Sequence, residues 1–202
     1  MELGSVSDWV TALANVFLAG AAVFAAWQGM RTLGAWRDEA VGKRKLEIAE
    51  QVLADFYEAR DVINGARLPF RMEGEGSTRP KVEGEPEGRK RRLDSYYVVA
   101  ERLNRREEFF GRLFAHRYRF VTLFGLDSGK PFTELFAIRN DILLSVNFLV
   151  GDFADTWAPQ DRIRMEATIG WCDPKDDPIR GKLDHVVETV ESLCRPIIEA
   201  HA

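Results

Sequence analysis

The sequence predicts an all-α protein: an N-terminal transmembrane helix followed by an antiparallel helical bundle with one long polar loop. Three observations carry that expectation. Residues 9–30 hold no Asp, Glu, Lys or Arg, and 17 of these 22 are hydrophobic. Beyond Met30 the apolar residues recur at steps of three and four, the period of one helix face. No stretch of period-two alternation competes with them. At 46% hydrophobic and 30% charged, the composition excludes collagen-like, disulfide-scaffold and wholly disordered chains. The balance of 28 basic and 32 acidic residues lacks the basic excess of a dedicated nucleic-acid binder.

The first 8 residues form a short extracytoplasmic N-terminus in this reading, and residues 9–30 the span. At about 1.5 Å per residue, 22 residues reach roughly 33 Å, enough for a hydrocarbon core near 30 Å. Trp9 and Trp27 lie 18 residues apart, about 27 Å along the axis, where interfacial aromatics sit. Val10, Leu13, Val16, Phe17, Leu18, Val23 and Phe24 together contribute roughly −2 to −4 kcal/mol near the helix centre. Asn15 and Gln28 oppose this. Seven alanines add little, which leaves a buried soluble helix as one alternative. A cleaved signal peptide is another: Val23-Phe24-Ala25 suits a peptidase, but Glu2 and Asp8 precede the run where Lys or Arg is expected. Small residues at Ala21, Ala25 and Gly29, or Ala22 and Ala26, would let a second copy approach through the span.

Residues 31–45 form a basic juxtamembrane segment. Arg31, Arg37, Lys43, Arg44 and Lys45 face only Asp38 and Glu39 there. Positive charge stays cytoplasmic, so the expected topology is single-pass in a bacterial inner membrane, N-terminus outside and body inside. Trp9, Trp27, Arg31 and Arg37 are the expected membrane-interface residues. Cys172 and Cys194 read as reduced cytosolic thiols.

Residues 46–202 form the cytosolic bundle. Leu46, Ala49, Val52, Leu53, Phe56, Ala59, Val62 and Ile63 make the first apolar stripe, and Gly34 and Gly42 mark places where the connection to the span could break. Residues 64–92 hold five glycines and three prolines among dense alternating charge, ending Arg89-Lys90-Arg91-Arg92. That composition predicts a mobile loop of about 64–92. A second helical region runs from about Asp94 to Phe124. After the turn Gly125 to Lys130, Pro131 suits the start of a helix carrying Leu135, Ile138, Ile142, Leu143, Val146, Leu149 and Phe153. A shorter helix holds Ile163, Ala167 and Ile169. Asp173 to Pro178 turns the chain into a last helix with Leu183, Val186, Val187, Val190, Leu193, Ile197 and Ile198.

No motif here establishes catalysis, a cofactor or a metal. Gly125-x-x-x-Gly129-Lys130 has one residue too few between its glycines for a phosphate loop, and Pro131 where Ser or Thr belongs. His116, His185 and His201 follow Leu113, Lys182 and Ile198 at a spacing of three, so no Glu-x-x-His metal pair exists. Arg112 and His116 are one residue too close for an Arg-x(4–6)-His ribonuclease signature. Arginines do interleave with aromatics between residues 105 and 124. Arg112, Arg117 and Arg119 with Phe109 and Phe120, which fall off the main stripe, are the candidate ligand or partner surface.

Ala54 to Ile63, Gly76-Ser77-Thr78-Arg79, Asp94-Ser95-Tyr96 and Arg117-Tyr118-Arg119-Phe120 carry a resemblance. On these stretches and its overall layout, the chain resembles a group of uncharacterised bacterial proteins with one N-terminal membrane span and a cytosolic helical domain. No activity is attached to that group. The expected function is a non-enzymatic module at the cytoplasmic membrane face that docks an unidentified protein partner or self-associates. The expected partners are the lipid bilayer, that protein and a second copy; nucleic acid is disfavoured. The alternative is a ligand- or RNA-sensing membrane effector, in stress or phage defence, using the Arg/aromatic surface. A hydrolase using His116 or His185 is a third class.

Overall fold

The computed structural model describes residues 3–152 and 154–200. Six α-helices make up most of the described chain: α1 (Leu3–Ala66), α2 (Glu87–Asn104), α3 (Glu107–Phe124), α4 (Lys130–Val150), α5 (Pro159–Thr168) and α6 (Arg180–Glu199). Short 3-10 turns at Leu126–Gly129 and Pro174–Asp176 lead into α4 and α6, and no strand occurs among the described residues. Phe153 and His201 lie outside the described residues, as do the first two residues of the expected segment 1–8. The chain divides into two units, Met1–Arg44 and Lys45–Ala202.

In the first unit the backbone stays helical through Gly34 and Gly42, so neither glycine interrupts it. A glycine inside a helix costs only about 0.5–1 kcal/mol relative to alanine. Good helix formers surround both positions, and Lys43 pairs with Glu39 at 2.9 Å one turn apart.

The second unit is built on one core to which all six helices contribute. α1 supplies Ala49, Val52, Phe56, Ala59 and Ile63, all fully buried. α4 buries Leu135, Ile138, Ile142, Val146 and Leu149, and it packs against α2, α5 and α6. α6 buries Leu183, Val186, Val187 and Val190. Phe132 joins the layers: its ring meets Phe56 edge-on at 4.9 Å and Phe120 at 5.7 Å between centroids. Each such ring contributes about 1.5–3 kcal/mol on burial.

Two boundaries differ from the sequence expectation. The region 94–124 is two helices, α2 and α3, separated at Arg105 and Arg106. Arg106 sits at φ −107°, ψ 17°, out of the helical well, and Glu107 and Glu108 then favour a new helix start beside its positive end. The break re-phases the apolar stripe, so that Phe109, Leu113 and Phe120 of α3 reach the core as Leu103 of α2 does. The non-helical segment is also shorter than expected, 67–86 in place of 64–92. Pro86 has an extended ψ of 138° and precedes α2, which therefore takes in the basic run Arg89 to Arg92.

Candidate functional site

Among the described residues one helix, over Trp9–Ala66, is long and apolar enough in part to cross a membrane, by length and composition. Every side chain from Trp9 to Arg31 is exposed, including Trp9, Phe17, Leu18, Val23, Phe24 and Trp27. The two ends differ chemically. At the C-terminal end the Trp27 ring packs against Phe24 at 6.1 Å, and the Arg31 guanidinium lies 4.7 Å over its face. A cation stacked on an indole suits a boundary where apolar and aqueous phases meet. Trp36 and Arg37 follow, both exposed.

The candidate surface on α3 separates into parts. Phe109 and Phe120 do not belong to it: both are buried in the core, Phe120 stacked on Phe124 at 4.2 Å. The expectation of exposure assumed one uninterrupted helix, whereas the break at residues 105–106 turns both rings inward. Arg112, Arg117 and Arg119 are exposed and form no ion pair with described residues. They do not share a face. Arg112 and Arg119 are seven residues apart and lie on the same side of α3, with His116 between them. Arg117 is on another side, beside Gly129.

His116 meets α1 there. Its Nδ1 lies 2.7 Å from Asp55 Oδ2, and Gln51 Nε2 donates to Asp55 Oδ1 at 2.9 Å. Asp55 is nearly buried and His116 partly so. His185 is exposed on α6, and Glu191, six residues further on, is taken by Tyr57 and Arg195.

The most heavily bonded charged groups are ones the sequence did not single out. Arg67 is buried and reaches across the chain: Nη2 and Nη1 donate to Asp177 at 2.6 and 3.0 Å, and Nε donates to the Thr168 carbonyl at 2.9 Å. Arg79 is equally buried, donating from Nε to Asp94 at 2.8 Å and from Nη2 to Glu85. Arg102 grips Glu75 at 2.6 and 2.9 Å, and Glu101 accepts from the Gly76 N–H at 2.7 Å and the Thr78 hydroxyl at 3.0 Å. Segment 67–86 is thus tied to α2 at several points despite its polar composition. Only Gly fits at Gly76, where φ is +77° and a Cβ would lie 2.3 Å from the Asp94 carbonyl oxygen. The recurrence of Arg and Glu near residues 75–102 was visible, but partners 15 to 27 residues apart carry no periodic signal.

These bonds give the segment an acid limit. Hydrogen bonds from Arg102 and from the Met72 N–H hold the Glu75 carboxyl at about 2, against an ordinary 4.5. Burial works to raise Glu101, but the Gly76 N–H, Thr78 and Arg105 outweigh it and hold that carboxyl low as well. A carboxyl depressed on folding stabilises the fold above its unfolded value and loses that contribution as pH falls through the folded one. Pepsin is therefore expected to cut within 67–86 increasingly as pH drops from about 4.5 toward 2, before it cuts α4 or α6. Equal, simultaneous cleavage of the helices would contradict this.

Among the described residues no group of three or more His, Cys, Asp or Glu is placed to hold a metal. Cys172 and Cys194 are free thiols, and burial pushes Cys194 up to about 12. An open groove of about 570 Å³ lies along Glu58, Asp61, Val62, Gly65, Ala66, Arg102 and Arg106. Its two arginines are engaged, Arg102 by Glu75 and Arg106 by Glu58 at 3.3 Å. No protein-family model, curated protein or solved structure matches the chain.

Proposed function

We propose that the protein is anchored in a membrane by residues 9–30 and presents a bundle of antiparallel helices, residues 46–202, at the cytoplasmic face. There it docks a protein partner or a second copy. The observation that carries this reading is the exposed, charge-free run from Trp9 to Met30, which nothing in its own unit covers. About 30 Å of hydrocarbon is the environment that matches such a surface. Trp9 and Trp27 would mark its two boundaries, and Arg31 and Arg37 would hold the basic end on the cytoplasmic side. The single core shared by all six helices supports reading the body as one bundle.

A second reading, a ligand-sensing membrane effector, draws on the exposed Arg112, Arg117 and Arg119, which form no ion pair with described residues. Its RNA form loses support because Phe109 and Phe120 are buried and offer no face for base stacking.

Reporter fusions after Ala202 test the orientation in a bacterial host. A fluorescent protein that folds only in the cytoplasm is expected to be bright there, and alkaline phosphatase at the same position silent. The opposite pattern would overturn the proposed topology.

A further inference from the structure

We propose that Arg112, His116 and Arg119 of α3, with Asp55 of α1 behind the imidazole, form a binding site for a phosphate monoester. The inference is independent of the membrane anchor. Positions 112, 116 and 119 follow one another at steps of four and three, so their Cβ atoms lie on one face about 5–6 Å apart. Asp55 occupies Nδ1 at 2.7 Å and is itself held by Gln51, which fixes the ring. Nε2, across the ring, then has no hydrogen-bond partner among the described residues. Nε2 thus faces outward as a polar contact, an acceptor for a P–OH group in the neutral imidazole and a donor to a phosphate oxygen in the imidazolium.

Arg112 and Arg119 stand one turn to either side of His116, and neither has an ion-pair partner among the described residues. Arg106, which precedes α3, is paired with Glu58 at 3.3 Å. Glu108, one turn before Arg112, forms no ion pair with it. Two planar forks flanking one fixed ring nitrogen match the three oxygens of a phosphate monoester better than the two of a carboxylate. A soluble phosphate ester and a phosphatidic-acid headgroup share this chemistry.

The test uses the full chain in neutral detergent micelles, following the His116 imidazole by NMR during titration with inorganic phosphate. With three histidines in the chain, His116→Gln assigns the signal. A saturable shift with Kd at or below about 1 mM is expected. Arg112→Ala and Arg119→Ala each weaken it about tenfold, the loss of one charge-assisted hydrogen bond. Arg117→Ala, on another side of α3, changes it less than about twofold. No saturation by about 20 mM, or an equal loss in Arg117→Ala, would overturn the proposal, the latter by showing diffuse attraction only. Tighter binding of glycerol phosphate than of phosphatidic-acid nanodiscs identifies a soluble ligand, and the reverse order a lipid.

Discussion

Replacing Arg79 with alanine is expected to destabilise the helical body by about 3–5 kcal/mol, the largest effect of any single surface-remote substitution in the segment before α2. The Arg79 side chain is 4% exposed, and its guanidinium lies between Asp94 and Glu85, with Nη1 donating to the Pro80 carbonyl at 3.3 Å. The Glu85 side chain is 3% exposed and shares Arg89 at 3.2 Å. Removing the guanidinium leaves two carboxylates away from water, Glu85 with Arg89 alone and Asp94 with no ion-pair partner among the described residues. The cost arises from stranding charges, not from the worth of the pair: Arg79→Met combined with Glu85→Leu and Asp94→Leu is expected to lose far less. For a body of this size the single change corresponds to a Tm drop of roughly 6–20 °C. Thermal melts of the full chain in detergent, followed by helical circular dichroism, check it. A drop below about 2 °C would show that the buried network does not hold the segment.

Leu18→Arg is expected to expel the apolar helix from the bilayer. Leu18 lies near the middle of residues 9–30, where an arginine costs about 2.5–3.5 kcal/mol and the leucine it replaces contributes about −0.5. The seven larger apolar residues supply only roughly −2 to −4 kcal/mol, so one central charge cancels most of the insertion free energy. That narrow margin follows from the alanines. Ala21→Leu and Ala25→Leu, added to Leu18→Arg, are expected to restore part of it. Tyr118→Arg adds the same charge at an exposed site on α3 and is expected to leave membrane association unchanged. Flotation of membranes from cells expressing each variant measures the distribution.

Much of the fold was legible because burial follows the helical period wherever one face meets the core. Ile138, Ile142, Val146 and Leu149 on α4, and Leu183, Val186 and Val190 on α6, are buried at the positions their spacing assigns. What failed was the phase across Asn104 to Glu107. A helix break leaves no mark on a three-and-four pattern until the two halves are seen to point differently, and so Phe109 and Phe120 read as surface residues. Composition misled in the same way at Arg79. Its neighbours in sequence are glycines, prolines and charges, which suggest solvent, while its partner Asp94 lies 15 residues on. Arg67 and Asp177 are 110 residues apart, beyond any local signal. The face of α3 carrying Arg112, His116 and Arg119 was half visible: the arginines stood out, but the choice of two from three needed Asp55 in place.

Membrane anchoring requires that residues 9–30 lie in a bilayer. Extraction of native membranes with alkaline carbonate tests it most directly, because it strips proteins held by charge or by other proteins and leaves those whose apolar surface is buried in lipid. The full chain is expected to stay with the membrane pellet and to be released by detergent. Recovery of the chain in the carbonate supernatant would contradict it.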